Sequence, residues 1–359
     1  MPPTSLGLPT LRGAKTAPGS DRPAADGLID RFGRVATDLR ISLTDRCNLR
    51  CTYCMPEAGL DWQPTDELLS TSEMQRLMRI AVEHLGVREI RFTGGEPLLR
   101  ADLPELVAFA AALEPRPSLS LTTNGLGLHR KAQMLADAGL DRTNVSLDSI
   151  DRDIYAAITR RDRLDDVLAG LRAAREAGLT PIKINAVLIR GINDIGVGDL
   201  LDYCLESDFE LRIIEQMPLD ADHRWRRSEM ITADEIHRLL RAHHDLTVDP
   251  APRGAAPARR WLVDGGPAAV GIIASVTQPF CGDCDRSRLT ADGRVRNCLF
   301  AAQETDLATL LRHPSSSPSV TDAEIASRWR EAMWEKQPGH GIDDPTFLQP
   351  ARPMSAIGG

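Results

Sequence analysis

The sequence predicts an α/β protein built on a parallel sheet, and three observations carry that prediction. Short runs rich in β-branched residues alternate with amphipathic segments of helical period, six times over, in units of roughly 30 residues, the size of a βα step with a right-handed crossover. Glycine, asparagine or a capping pattern punctuates the ends of these runs. The residues least suited to a core gather just beyond the C-terminal ends of the strands, where α/β folds bind their ligands. A doubly wound sheet and an incomplete barrel both satisfy the pattern.

The first strand, 38–43, leads into TDRCNLRCTYCMP, residues 44–56. Ser70 and Glu73 form a capping-box start for a helix to about 85, closed by Gly86. The second strand, 89–93, runs into Gly94-Gly95-Glu96-Pro97, and a helix follows over 103–113. The third, 119–123, precedes Asn124-Gly125 and a helix ending at Gly139. The fourth, 144–148, precedes helical residues to about 178. A fifth strand, 182–189, a helix over 197–207 and a sixth strand, 210–215, complete the series before Met217-Pro218.

Beyond a helix at 232–241 the rhythm is lost, and 246–271 holds short apolar runs broken by Pro, Gly and Arg. In FCGDCDRSRLTADGRVRNCLF (280–300), strands over 288–290 and 294–299 flank the turn Ala291-Asp292-Gly293. Such a hairpin would return Cys298 to Cys281 and Cys284. Residues 313–320 read as a Pro/Ser linker, followed by an amphipathic helix to about Trp334 and a Pro/Gly-rich tail ending in Gly358-Gly359. Residues 1–34 lack apolar periodicity and read as a disordered, mobile arm.

The formal net charge of −8 argues against a nucleic-acid coat. No apolar run approaches the ~18 residues of a membrane span, and no basic-then-apolar leader precedes the fold. The expected setting is reducing cytoplasm, where cysteines are more often metal ligands than disulfides. Seven cysteines divide into Cys47/Cys51/Cys54, Cys281/Cys284/Cys298 and Cys204. Cys204, within the helical pattern LLDYCLES, reads as a small core residue. The first triplet, C-x3-C-x2-C, fits a four-iron cluster with one open corner, a zinc knuckle completed from elsewhere, or three separate buried thiols. Basic residues are nearly all arginine; the four lysines are Lys15, Lys131, Lys183 and Lys336. Arg40, Arg91, Lys183 and Arg212 each sit inside an otherwise apolar strand, and strands buried on both faces seldom hold charge without a use for it.

TDRCNLRCTYCMP, RFTGGEPLLR, LTTNG and NVSLDSID, together with the second triplet and the terminal Gly-Gly, resemble the GTP 3′,8-cyclase family of molybdenum-cofactor biosynthesis, within the radical S-adenosylmethionine superfamily. The resemblance runs from about Val35 to the end. It implies an incomplete (βα)6 TIM-like barrel with a C-terminal extension carrying a second iron–sulfur site. The barrel would span 35–230, the second-cluster domain 231–337 and the tail 338–359. Cys47, Cys51 and Cys54 would hold one [4Fe–4S] cluster, whose open iron chelates S-adenosylmethionine. Cys281, Cys284 and Cys298 would hold a second [4Fe–4S] cluster facing the guanine of GTP.

In the family a 5′-deoxyadenosyl radical takes hydrogen from C3′ of GTP, and the ribose radical closes onto C8. By the same resemblance Tyr53, Gly95, Ser146 and Met217 would hold S-adenosylmethionine, with Glu96 and Asn124 lining its pocket. Arg40, Arg91, Thr122, Lys183, Arg286 and Arg288 would hold GTP, helped by Arg212, and Gly358 and Gly359 would reach into the site. The implied partners are GTP, an electron donor and a downstream cyclic pyranopterin monophosphate synthase, with no nucleic acid and no membrane; a homodimer is compatible with the chain. The family often has a basic residue where this chain has Glu89, so either Arg88 substitutes or one phosphate contact is missing. Two other readings remain open: a twin-cluster radical enzyme that modifies a peptide, and a non-catalytic metal scaffold.

Overall fold

The six expected strands form and pair in parallel, each with the next: β1 (Asp38–Ser42), β2 (Glu89–Thr93), β3 (Ser118–Thr123), β4 (Arg142–Ser146), β5 (Lys183–Val187) and β6 (Glu210–Ile214). The computed structural model describes residues 22, 23, 25–312 and 321–358. The linker expected at 313–320, most of the arm and Gly359 lie outside the described residues.

Helices return the chain from each strand to the next. They are α1 (Thr71–Arg79), α2 (Leu103–Ala111), α3 (Leu128–Asp137), α4 (Arg152–Thr159), α5 (Leu164–Glu176) and α6 (Val197–Glu206). The capping box is present: Ser70 Oγ accepts from the Glu73 amide, and Glu73 accepts from the Ser70 amide. The helix expected between β4 and Gly178 is two helices, because Arg160 adopts φ 55. That break has a use. It lets the Arg160 guanidinium donate to the carbonyls of Arg50 (2.9 Å) and Met55 (3.0 Å) in the cysteine loop.

The later chain does not stand apart from this sheet. After α7 (Ala233–Arg241), the strands β7 (Leu246–Val248), β8 (Arg259–Val263) and β9 (Ala269–Ile273) form an antiparallel meander, and β9 pairs in parallel with β6. The expected hairpin begins earlier than its apolar residues suggest: β10 (Arg286–Leu289) turns through Gly293 into β11 (Arg294–Arg296), and β12 (Thr305–Asp306) follows. β10 pairs in parallel with β1. The order is therefore β12-β11-β10-β1-β2-β3-β4-β5-β6-β9-β8-β7. The incomplete (βα)6 barrel is thus widened on both open edges by the C-terminal segment, and this brings the second cysteine triplet to the barrel mouth. α8 (Ala308–Arg312), α9 (Asp322–Trp334) and the short α10 (Met354–Ile357) complete the chain.

Parallel strands covered by helices bury both faces, and Leu39, Ile41, Ile90, Phe92, Leu119, Leu121, Ile184 and Ile213 are all inaccessible to solvent. Cys204 lies in the same core. Part of the stretch expected as an arm is drawn in as well. Leu28 is fully buried, Ile29 pairs with Val35, and Asp30 accepts from the amides of Phe32 and Arg34. A single leucine and an Asx-type turn anchor this segment, too little to register as periodicity.

Candidate active site

Strand alternation puts Asp38, Arg40 and Ser42 of β1 on the side opposite Leu39 and Ile41. The register then sets Arg40 directly across from Arg91 on β2 and from Arg288 on β10. Like charges so placed repel, and the nearest carboxylate, Asp38, lies 3.7 Å from Arg40 Nε. Further round, Arg212 of β6 donates to Asn144 Oδ1 at 2.8 Å. Arg40, Arg91, Arg212 and Arg288 border a cavity of about 270 Å³ that Thr122, Ser146, Tyr53, Met217, Asn185, Arg286 and all three cysteines of the second triplet also line.

The cavity is short of negative charge. Among the described residues, Nε of Arg40, Arg91 and Arg212 and Nη2 of Arg286 are buried without a hydrogen-bond partner, a costly state for charged donors. Burial lowers Arg40 and Arg212 to about 10 and Arg288 to about 9, and neighbouring guanidiniums push in the same direction. A polyanion with several phosphate oxygens would satisfy this set.

At one wall, a short turn, Cys281–Asp283, and the β10–β11 hairpin place Cys281, Cys284 and Cys298 on the cavity. Burial and the neighbouring thiols push Cys281 up. Burial acts likewise on Cys284, but Arg286 and Lys336 outweigh it and bring that thiol down to about 7. Lys336 Nζ lies 3.2 Å from Cys284 Sγ, and Arg34 donates to the Cys281 carbonyl at 2.7 Å.

The first triplet follows β1 on a loop tied down by backbone. Arg50 and Thr52 amides donate to Thr159 and Ile158, and Gly95 and Glu96 amides donate to Thr44 and Arg46. Gly95 has no room for a side chain: a Cβ there would lie 2.3 Å from the Arg46 carbonyl oxygen. Glu96 is fully buried and accepts from Leu98, Asn124 and Thr123; burial pushes its carboxyl up to about 7. Asn124 donates to Asn48 Oδ1 at 2.7 Å and reaches to 3.7 Å from Cys47 Sγ. Gly95, Glu96 and Asn124 thus hold the cysteine loop and stand off the cavity wall.

Burial raises all three thiols of this loop, Cys51 well above its ordinary value and Cys54 up to about 12, and Cys47 further resists ionisation of the other two. Such a group ionises together only around a multivalent cation. Three thiolates on one loop fit a four-iron cluster with one corner left open. Tyr53, beside Cys54, is fixed by donating to Asp148 Oδ2 at 2.9 Å.

The tail enters the mouth. Met354 lines the cavity, and Arg288 Nη1 donates to the Gly358 carbonyl at 2.6 Å. A Cβ on Gly358 would lie 2.9 Å from Thr93 Cγ2. Lys183 leans on Glu210 at 3.6 Å and feels the charge of Arg212 and Arg91, but does not itself border the cavity. Glu89, where the family often has a basic residue, pairs with Arg142 at 3.0 Å. Three residues had no functional reading in the sequence: Asp148 as the anchor of Tyr53, Lys336 against Cys284, and Asn185. Asn185 Oδ1 is buried at the cavity without a partner among the described residues, and its place two residues after Lys183 on the same strand was the available signal.

The sequence pattern of the radical SAM superfamily matches residues 41–204, and that of the molybdenum cofactor synthesis C family matches 209–342. Streptococcus suis SuiB bound to S-adenosylmethionine superposes with a TM-score of 0.56 at 14% identity, covering 87% of this chain and 69% of SuiB, which shows the shared fold. Fold, cysteine loop and pattern together define a radical S-adenosylmethionine enzyme. The chain is 58% identical to the GTP 3′,8-cyclase of Mycobacterium marinum over 99% of both chains. It is 62% identical to that of Streptomyces coelicolor over 95% of this chain and 98% of the relative. It belongs to the GTP 3′,8-cyclase family.

Proposed function

We propose that this chain converts GTP into (8S)-3′,8-cyclo-7,8-dihydroguanosine 5′-triphosphate, opening molybdenum-cofactor biosynthesis. The observation that carries the proposal is the set of buried arginines on the cavity, of which Arg40, Arg91, Arg212 and Arg286 each keep a guanidinium nitrogen without a partner among the described residues, with the second cysteine triplet at the cavity wall and the first at the barrel mouth.

Arg40, Arg91, Arg286 and Arg288 would neutralise the triphosphate, with Arg212 and Thr122 beside them. Cys281, Cys284 and Cys298 would hold a [4Fe–4S] cluster with one iron left for the guanine. Cys47, Cys51 and Cys54 would hold the other, which with S-adenosylmethionine supplies a carbon radical able to take hydrogen from an unactivated ribose carbon. Tyr53, oriented by Asp148, would press on the bound S-adenosylmethionine together with Ser146 and Met217. Ile214, Ile273, Leu299 and Phe300 give the cavity apolar walls, which keep water from a radical. The Gly358 carbonyl orients Arg288, so the tail would govern where the substrate lies. An electron donor would serve the first cluster, and a cyclic pyranopterin monophosphate synthase would consume the product. Among the described residues no helix is long and apolar enough to cross a membrane.

The test is an anaerobic incubation of the reconstituted protein with GTP and S-adenosylmethionine. Cyclised nucleotide and 5′-deoxyadenosine should appear together, and Cys51→Ala should abolish both. Consumption of S-adenosylmethionine with GTP unchanged would refute the proposal.

A further inference from the structure

Lys336 is one of four lysines in the chain and is 3% exposed. It stands just beyond α9, and its side chain runs back to the loop that carries the second triplet. Nζ lies 3.1 Å from the Cys284 carbonyl, 3.0 Å from the Arg286 carbonyl and 3.2 Å from Cys284 Sγ. An ammonium has three donors and no acceptor, and here each donor finds one acceptor. Its own neighbourhood gives it no carboxylate partner within salt-bridge distance among the described residues. Burying an ammonium is costly unless a charge of opposite sign stands against it, and the thiolate of Cys284 is the group in place to supply it.

The choice of lysine also follows from the shape of the niche. Three acceptors converging on one point suit a compact charge on a flexible stem, whereas the planar fork of arginine presents its donors side by side. A positive charge and a hydrogen bond at a ligating sulfur stabilise the more negative, reduced state of an iron–sulfur centre. Asn297 donates to the Ala332 carbonyl at 2.8 Å, so α9 is also tied to the residue preceding Cys298.

From this geometry we infer that Lys336 is the positioning residue of the second cluster: its ammonium holds the Cys284 thiolate in ligating position and sets the cluster's reduction potential higher than the three thiolates alone would. The inference rests on the second triplet holding a cluster. It gives the end of α9 a task that no step of the proposed reaction uses.

The test compares reconstituted wild type, Lys336→Met and Lys336→Arg by iron analysis and by a redox titration followed by electron paramagnetic resonance. Wild type should hold about eight irons per chain; about four would mean that the second triplet holds no cluster and that the underlying reading has failed. In Lys336→Met the second potential should fall while the first stays as an internal control. Selective loss of the second cluster, with the melting temperature of the metal-free protein unmoved, supports the holding role. Lys336→Arg keeps the charge and should lie between the other two. Two unchanged potentials at full iron in Lys336→Met would overturn the inference. So would a Lys336→Arg protein whose potential matches Lys336→Met.

Discussion

Arg40 is the middle member of a three-arginine row, and replacing it with methionine separates a binding role from a structural one. Its fall from 12.5 to about 10 on burial corresponds to about 3 kcal/mol of unfavourable free energy on the charged side chain. Methionine relieves that cost at similar length. That figure is already net of the attraction of Asp38, 3.7 Å away, and what methionine gives up is part of the packing of the longer side chain. Asp38 still keeps Arg91, Arg286 and Arg288 about it. Arg40→Met should therefore stabilise the ligand-free holoprotein by about 1–2 kcal/mol. It should weaken GTP binding by about 1.5–3 kcal/mol, on the order of 10- to 150-fold in Kd. Unfolding midpoints with and without GTP, beside equilibrium titration with the nucleotide, read both effects. A protein weakened in the absence of GTP, with its affinity for GTP untouched, would make Arg40 a structural ion-pair partner and refute the reasoning.

Gly95→Ala places a methyl against the Arg46 carbonyl; iron should drop from about eight to about four atoms per chain while far-ultraviolet circular dichroism is retained, and full iron would contradict the role given to the turn. Deleting Gly358 and Gly359 frees Arg288 Nη1, so cyclisation should fall on the order of 10- to 100-fold with both clusters intact; normal turnover would make the tail a bystander. Glu73 is held at about 2, against an ordinary 4.5, chiefly by its hydrogen bond to Arg312. A depressed carboxyl stabilises the fold above its unfolded value and loses that contribution as pH falls from 4.5 toward 2. Discounted for solvent screening, the contribution is about 1 kcal/mol. Glu73→Gln should thus melt below wild type at neutral pH, with the gap closing in acid; a gap independent of pH would count against the ion pair.

The β–α rhythm, the capping box at Ser70 and both cysteine loops were legible because each is local. Period, cap chemistry and spacing are written within a few residues of one another. The sheet edges were not. That β9 lies beside β6 and β10 beside β1 depends on pairings between strands far apart in sequence, with no turn signal to set them. The break at Arg160 was hidden because its left-handed conformation serves the cysteine loop and leaves the helical pattern on either side intact. Lys336 was singled out as rare, yet its contact with Cys284 spans 52 positions. Glu89 looked like a lost phosphate ligand; its partner Arg142 lies 53 positions away, two strands over. The arginines were readable as anomalies within apolar strands. Their mutual register, which makes them a site, was not.

The most direct measurement follows one hydrogen. GTP deuterated at C3′ is incubated anaerobically with the reconstituted protein, S-adenosylmethionine and a reductant, and the products are weighed by mass spectrometry. If the arginine row presents the ribose to the radical source, deuterium appears in 5′-deoxyadenosine and the nucleotide product carries a new C3′–C8 bond. Deuterium retained in unaltered GTP, with 5′-deoxyadenosine formed unlabelled, would contradict the placement of substrate between the two cysteine triplets.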